Sequence, residues 1–224
     1  MVMVVLVSCG RTEPLWASDD GVAGPGHHDA GVPDAGPPDA GARDAGLCVP
    51  WDDEVAATLH ITADNRRRVW VNGVLVEAPD LEWDRPTVTR ISLFRHPARE
   101  NVVAVEGTNL TSQAGFDRGV IFDVALNGSV VVSDGSWRVR RGAQPDTAWT
   151  LPGFDDSGWA FATIEASNGE APWGRVTSVS PAAKWLWSYA SDVAFKPDHE
   201  TAVFRRRVWL TLDGRLGDVP SACP

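Results

Sequence analysis

The sequence predicts an all-β fold, an antiparallel sandwich or barrel, carried behind a polar tether. Three observations lead there. From about residue 55 onward apolar positions recur every second residue, two Asn-Gly dipeptides each join a pair of β-rich runs, and no segment carries a helical stripe. Before that, Asp-Ala-Gly repeats every five residues at 29–31, 34–36, 39–41 and 44–46, with Pro33, Pro37 and Pro38 between. A stretch with so little to bury behaves as a linker. The expected plan is a leader over 1–9, a linker over 10–47, and one domain over 48–224.

The elements follow in order. Val55, Ala57, Leu59, Ile61 and Ala63 fall on one face of a first strand, with Thr58, His60 and Thr62 on the other. Arg66–Val71 and Val74–Val76 flank Asn72-Gly73, a strong hairpin signal because both turn residues need positive φ. Strands are predicted at 87–94 and 101–106, then at 119–126 and 129–132 around Asn127-Gly128. Four more are predicted at 136–140, 160–165, 184–187 and 201–212. Segments 102–105 and 130–132 are continuously apolar, as strands covered on both faces are.

The N-terminal tetrapeptide Leu6-Val7-Ser8-Cys9 is similar to a bacterial lipobox, and the linker begins directly behind it. On that reading Cys9 carries lipid, and Gly10 behind it implies the outer membrane of a Gram-negative envelope. The departure is the basic n-region of an ordinary leader, since only Met1 precedes the apolar run. Val2–Val7 is too short to cross a bilayer, so lipid is the only membrane contact expected. Two cysteines then remain, Cys48 and Cys223, at the ends of the domain; a disulfide between them is expected, with two free thiols as the alternative.

Charge excludes one partner class. The chain carries −10, divided evenly between residues 1–47 (seven acids, two arginines) and the rest. Acidic on both sides, it is a poor match for nucleic acid, whose affinity comes from neutralised phosphates.

Several phrases then line up in order. Ala63-Asp64-Asn65 leads to Val69-Trp70-Val71-Asn72-Gly73, followed by Glu100-Asn101-Val102-Val103-Ala104-Val105 and Ser133-Asp134-Gly135-Ser136-Trp137. Phe154-Asp155-Asp156-Ser157-Gly158-Trp159 and Ala171-Pro172-Trp173-Gly174 close the series. Over about residues 55–175 this resembles the galactose-binding-like jelly roll attached to bacterial α-rhamnosidases and β-galactosidase-type glycoside hydrolases. The resemblance implies a sugar-binding jelly-roll sandwich. In that family strands reading like Lys184-Trp185-Leu186-Trp187 and Phe204-Arg205-Arg206-Arg207 often precede the Asp-Asn strand, whereas here they follow everything else. That order implies a permuted sandwich whose terminal strands are neighbours, which would also bring Cys48 near Cys223.

No nucleophile elbow, zinc-protease helix or phosphate loop occurs. Asp155 and Asp156 are adjacent, so on a strand they would point to opposite faces and form no acid/base pair; the resemblance makes them a turn before Trp159. The domain is therefore read as non-catalytic. No metal-ligand spacing occurs either; Asp64, Asp117 and Asp123 are the carboxylates a structural calcium would use.

Ten of the eleven tryptophans lie in the domain. An indole offers a rigid plane to the apolar C–H face of a sugar and an N–H at its edge. Trp137 and Trp159 match structural positions of the resembled family. Trp70 shares a strand face with Arg66 and Arg68 and is expected to point away from the core. Trp173 stands in a loop, and Trp185 and Trp187 lie two apart on one strand face. Trp70, Trp173, Trp185 and Trp187, with Arg66 and Arg68 as hydrogen-bond donors, are thus the expected glycan contacts, against packing or a solvated face as the alternative. The function expected is a membrane-tethered module for extracellular or cell-wall polysaccharide; a lipoprotein using the same scaffold to bind protein is the alternative.

Overall fold

A computed structural model describes residues 53–110, 118–189 and 199–218. Cys9, Cys48, Cys223, Asp117 and the linker repeats lie outside them. Two antiparallel sheets form a sandwich. The first sheet runs β4 (Thr87–Phe94), β1 (Glu54–Asp64), β6 (Gly119–Leu126), β11 (Lys184–Trp187), β10 (Thr163–Ser167), with β7 (Ser129–Val132) also on β6. The second runs β3 (Val74–Glu77), β2 (Arg66–Val71), β5 (Asn101–Asn109), β12 (Glu200–Leu210), β8 (Arg138–Arg141), β9 (Ala160–Phe161), with β13 (Leu216–Gly217) also on β12. Among the described residues no helix is long and apolar enough to cross a membrane.

Period-two patterning decides which side chains meet between the sheets. Ala57, Leu59, Ile61 and Ala63 of β1 join Val69 and Val71 of β2, Val103 and Val105 of β5, and Phe204 and Val208 of β12 in one buried cluster. Both Asn-Gly pairs make the expected two-residue turns, with Val71 facing Val74 and Leu126 facing Ser129. Asn72 and Asn127 have φ of 50° and 49°, and their glycines 83° and 75°, the left-handed pair that such a turn requires. Gly107 serves close approach instead. A Cβ there would stand 2.6 Å from Val120 Cγ1 and 3.1 Å from the Trp187 ring, so the indole packs directly on the β5 backbone.

Three expectations need correction. The described terminal strands are not paired: β12 lies inside the second sheet between β5 and β8, and β1 inside the first. The nine-residue register between β12 and β5 fixes that place. Val102–Val105 are buried on both faces as expected, but Val130 is 48% exposed. Trp185 and Trp187 do not share a face. Trp187 belongs to the inter-sheet cluster near Phe204, whereas Trp185 belongs to a second cluster with Trp173 and Ile121. Leu186 alone of β11 pairs with β6, and the β10–β11 register shifts between Ile164 and Ala166, a bulge that turns the ladder between the two indoles.

Loops cover both outer faces. Over the first sheet, Asn168 gathers residues 168–183: its Nδ2 donates to the carbonyls of Val176, Val179 and Ser180, and its Oδ1 accepts from Val176 N at 2.8 Å. Asp123 fastens this loop from beneath, accepting from Ser180 N at 2.5 Å and holding His60 Nδ1 at 2.7 Å. Over the second sheet, residues 147–159 bring Trp149 and Trp159 onto Trp70, Val102, Ala104 and Val203.

Candidate functional site

The loop cover removes the expected stacking platforms. Trp70 does point away from the inter-sheet core, yet Trp149 meets it edge-on at 5.4 Å and leaves it 8% exposed. Trp173 lies parallel to Trp185 at 4.2 Å, and neither is more than 4% exposed; Trp187 is wholly buried. Gly119 makes the stack fit, since a Cβ there would meet the Trp185 ring at 2.9 Å. All four indoles are packing residues in this structure.

Arg66 and Arg68 stay exposed, and they border a groove of about 410 Å³ with Ala78, Asp80, Glu106 and Thr108. Arg66 Nε and Nη2 donate to the two oxygens of Asp80 at 2.6 and 3.1 Å, and Arg68 Nη1 lies 3.5 Å from Glu106. Between them Arg67 turns inward to Glu77, 2.8 Å away; burial pulls its guanidinium below the ordinary arginine pKa, which Glu77 partly offsets. The alternation explains the split, since 66 and 68 share the outer face and 67 the inner one.

The same end of the sandwich holds the Asp64-Asn65 turn, where β1 passes to β2 through a cis peptide. Asp64 Oδ2 accepts from Trp173 Nε1 at 2.8 Å, linking this turn to the loop over the first sheet. Asn65 Oδ1 accepts from Leu110 N at 2.8 Å, and its Nδ2 donates to Glu82 Oε2 at 3.0 Å. Glu82 is exposed and stands beside Trp83, half-buried, whose carbonyl accepts from Thr62 Oγ1 at 2.8 Å. The turn, the Glu82-Trp83 segment and the Arg66 groove thus place carboxylate, amide, guanidinium and indole along one rim. Sequence reasoning passed over Glu82 and Trp83. The available signal was a tryptophan between two acids, in a segment with no strand period to bury it.

Two of the three carboxylates considered for calcium, Asp64 and Asp123, are among the described residues. Asp64 lies at the end of β1 opposite Gly119, whereas Asp123 stands opposite His60, four residues back along the same ladder. The two carboxylates therefore do not converge, and Asp123 is already held by His60 and Ser180. Among the described residues no three His, Cys, Asp or Glu side chains are grouped to hold a metal.

Asp155 and Asp156 diverge as expected of neighbours. Asp155 caps its own turn by accepting from Ser157 N at 2.9 Å, and hydrogen bonding from the Ser157 side chain, then from this N–H, holds its carboxyl below the usual range. Asp156 is buried against Arg205 and Arg207.

No family model matches the chain. Over 141 residues, 60% of this chain, the sequence is 38% identical to an alpha-L-rhamnosidase of Streptomyces avermitilis, and the match spans 14% of that protein's length. Among solved structures, the Streptomyces avermitilis alpha-L-rhamnosidase complexed with L-rhamnose aligns with a TM-score of 0.46 and 21% identity, over 76% of this chain and 24% of that one. The Pleurotus ostreatus lectin in its apo form aligns with a TM-score of 0.46 and 15% identity, over 75% and 71%.

Proposed function

We propose that this domain is a non-catalytic carbohydrate-binding module, held at the cell envelope by a lipid on Cys9 and the linker over 10–47. The observation that carries the binding role is the 38% identity with a glycoside-cleaving enzyme, confined to a stretch that is 14% of the enzyme's length. A module of that size fits a part that positions substrate better than a whole catalytic apparatus. The described carboxylates agree, because each buried one is committed to an arginine, a histidine, an indole N–H or a main-chain N–H.

The glycan contact is assigned to the rim of Asn65, Arg66, Glu82 and Trp83. Glu82 accepts hydroxyl hydrogens, Arg66 donates to hydroxyl oxygens, and the half-buried indole supplies an apolar plane. Affinity in the micromolar to millimolar range is expected, with many tethered copies supplying avidity.

The test is a glycan array probed with the full chain carrying Cys9→Ser. Binding to a defined glycan is expected, and Glu82→Ala or Trp83→Ala should weaken it about tenfold, with the β-sheet circular dichroism of the folded chain retained. Binding to no glycan, or turnover of a glycoside by the purified chain, overturns the reading. Fractionation of the native chain beside the Cys9→Ser variant tests the anchor: the variant should leave the membrane pellet, and if it stays the lipid assignment fails.

A further inference from the structure

On the edge of β12 that faces β8, the ladder stops at Arg205 opposite Arg138 and resumes at Trp209 opposite Gly217 of β13. Residues 206–208 keep partners only on the β5 side. The result is a notch of about 340 Å³ through the second sheet, lined among others by Arg138, Asp156, Arg206, Arg207, Trp209 and Asp218. That volume lies at the small end of ligand sites and suits one ring rather than a polymer.

Side chains enter the notch from both faces. Arg206, on the inner-face parity, is held by Asp218 at 2.7 Å and Asp134 at 3.3 Å. Arg207, on the outer face, donates to Asp156 Oδ1 at 2.7 Å and to the Phe154 carbonyl at 3.2 Å. Behind them Arg205 is fully buried, bound to Asp156, Glu100 and the carbonyls of Trp149 and Leu151. Arg138 is fixed by the Trp159 carbonyl and the Phe161 ring. Four guanidiniums line the notch with two carboxylates, Asp156 and Asp218, and Glu100 and Asp134, bound to Arg205 and Arg206 from outside the lining, bring the set to four against four.

This balance selects the ligand. With no net charge to satisfy, the notch does not call for an anion. It offers donor and acceptor side by side, twice, in pairs anchored before any ligand arrives. Vicinal hydroxyls match such a pair, one accepting from the guanidinium while its neighbour donates to the carboxylate. Trp209, half-buried on the outer face, adds an indole for the apolar face of a ring.

We propose that the notch is a second carbohydrate contact, taking one neutral pyranose ring through vicinal hydroxyls and the Trp209 indole. It rests on the carbohydrate-binding reading but uses residues distinct from the Asn65–Trp83 rim. Along β12 the notch at Trp209 and the rim end at Thr201 are eight residues apart, about 26 Å at the rise of a strand. Two contacts so spaced let one module engage separate residues of one polymer.

The test is an indole N–H correlation spectrum of the full chain carrying Cys9→Ser, titrated with the methyl pyranosides of L-rhamnose, galactose, glucose and mannose and with galacturonate. Trp209→Phe and Trp83→Phe assign their signals among the eleven indoles. A neutral pyranoside should move the Trp209 signal saturably. The exposed-site variant Asp218→Asn should weaken that binding about tenfold, read at the Trp209 signal, without altering the response of Trp83. If Trp83 responds to a sugar and Trp209 to none, the second contact is overturned and the first stands. If Trp209 responds to galacturonate alone, the neutral-ring assignment is overturned. If neither indole responds to any probe, both contacts are overturned.

Discussion

Each sheet contains a strand whose one edge is shared by two others, and the two junctions are finished differently. In the first sheet β6 pairs with β11 at Val120 and with β7 from Asp123 onward, and Ser133 closes the interval. Its N–H donates to the Phe122 carbonyl, its Oγ accepts from Phe122 N at 3.1 Å and donates to the Lys184 carbonyl at 2.7 Å, and its own carbonyl accepts from Lys184 N. In the second sheet β12 is shared by β8 and β13, and the interval is occupied by charged side chains instead. One buried serine is enough to finish the first gap. A gap furnished with arginines and aspartates keeps groups that a purely structural junction does not need, and that difference locates the notch.

The largest effect should come from breaking the notch at its buried end. Asp156→Ala leaves the fully buried Arg205 with Glu100 and two carbonyls, and unfolding in urea should lose about 3–5 kcal/mol, the range for stranding a buried charge. Asp218→Ala, at a 60% exposed carboxylate, should lose about 1 kcal/mol or less. Equal losses would mean that the two walls of the notch are not built as rigid floor and open rim.

The closed junction should respond less. Ser133→Ala strips a partner from Phe122 N and from the Lys184 carbonyl while keeping the two main-chain bonds, so a loss of about 1–3 kcal/mol is expected. Amide exchange at Phe122 should quicken while exchange in β2 and β5 stays unchanged. A loss below about 0.5 kcal/mol would show that the main-chain bonds alone close the gap.

Neither junction was legible in the sequence, although most strands were. Alternation placed β1, β2, β4, β6 and β7 to within a residue or two because one face of each must be apolar, and Asn-Gly fixed both tight turns. What failed was the use made of tryptophan. Trp70 was placed on the correct face, but alternation says only which face a residue takes, not whether a distant loop lies over that face. The covers depend on Asn168 gathering carbonyls eight to twelve residues away and on Arg205 binding carbonyls more than fifty residues away. Such contacts leave no local period. The same limit hid Glu82, Trp83 and Trp209, whose meaning lies in what they stand beside.

The smallest effect, and the sharpest contrast with the notch, lies at the start of β12. There Glu200 is buried, and the Tyr189 hydroxyl donates to its Oε2 at 2.5 Å while Arg118 and Arg141 lie over the phenol ring at 4.1 and 4.7 Å. Both clusters pair arginine with carboxylate, but this one closes around a titratable group. Burial pushes the Tyr189 phenol up to about 12, helped by Glu200 and opposed by the two arginines. A raised pKa favours the protonated form in the folded state. The associated stability is therefore complete below pH 10, the ordinary value, and is lost as pH rises from there through about 12. Tyr189 is the only tyrosine of the chain, so tyrosinate absorbance reports it alone. The folded chain should titrate near 12 and the urea-unfolded chain near 10, and Tyr189→Phe should flatten the decline in stability over that interval. A folded-state midpoint near 10 would mean that the cluster does not grip the phenol, and that the open notch and this end of β12 differ less than their geometry indicates.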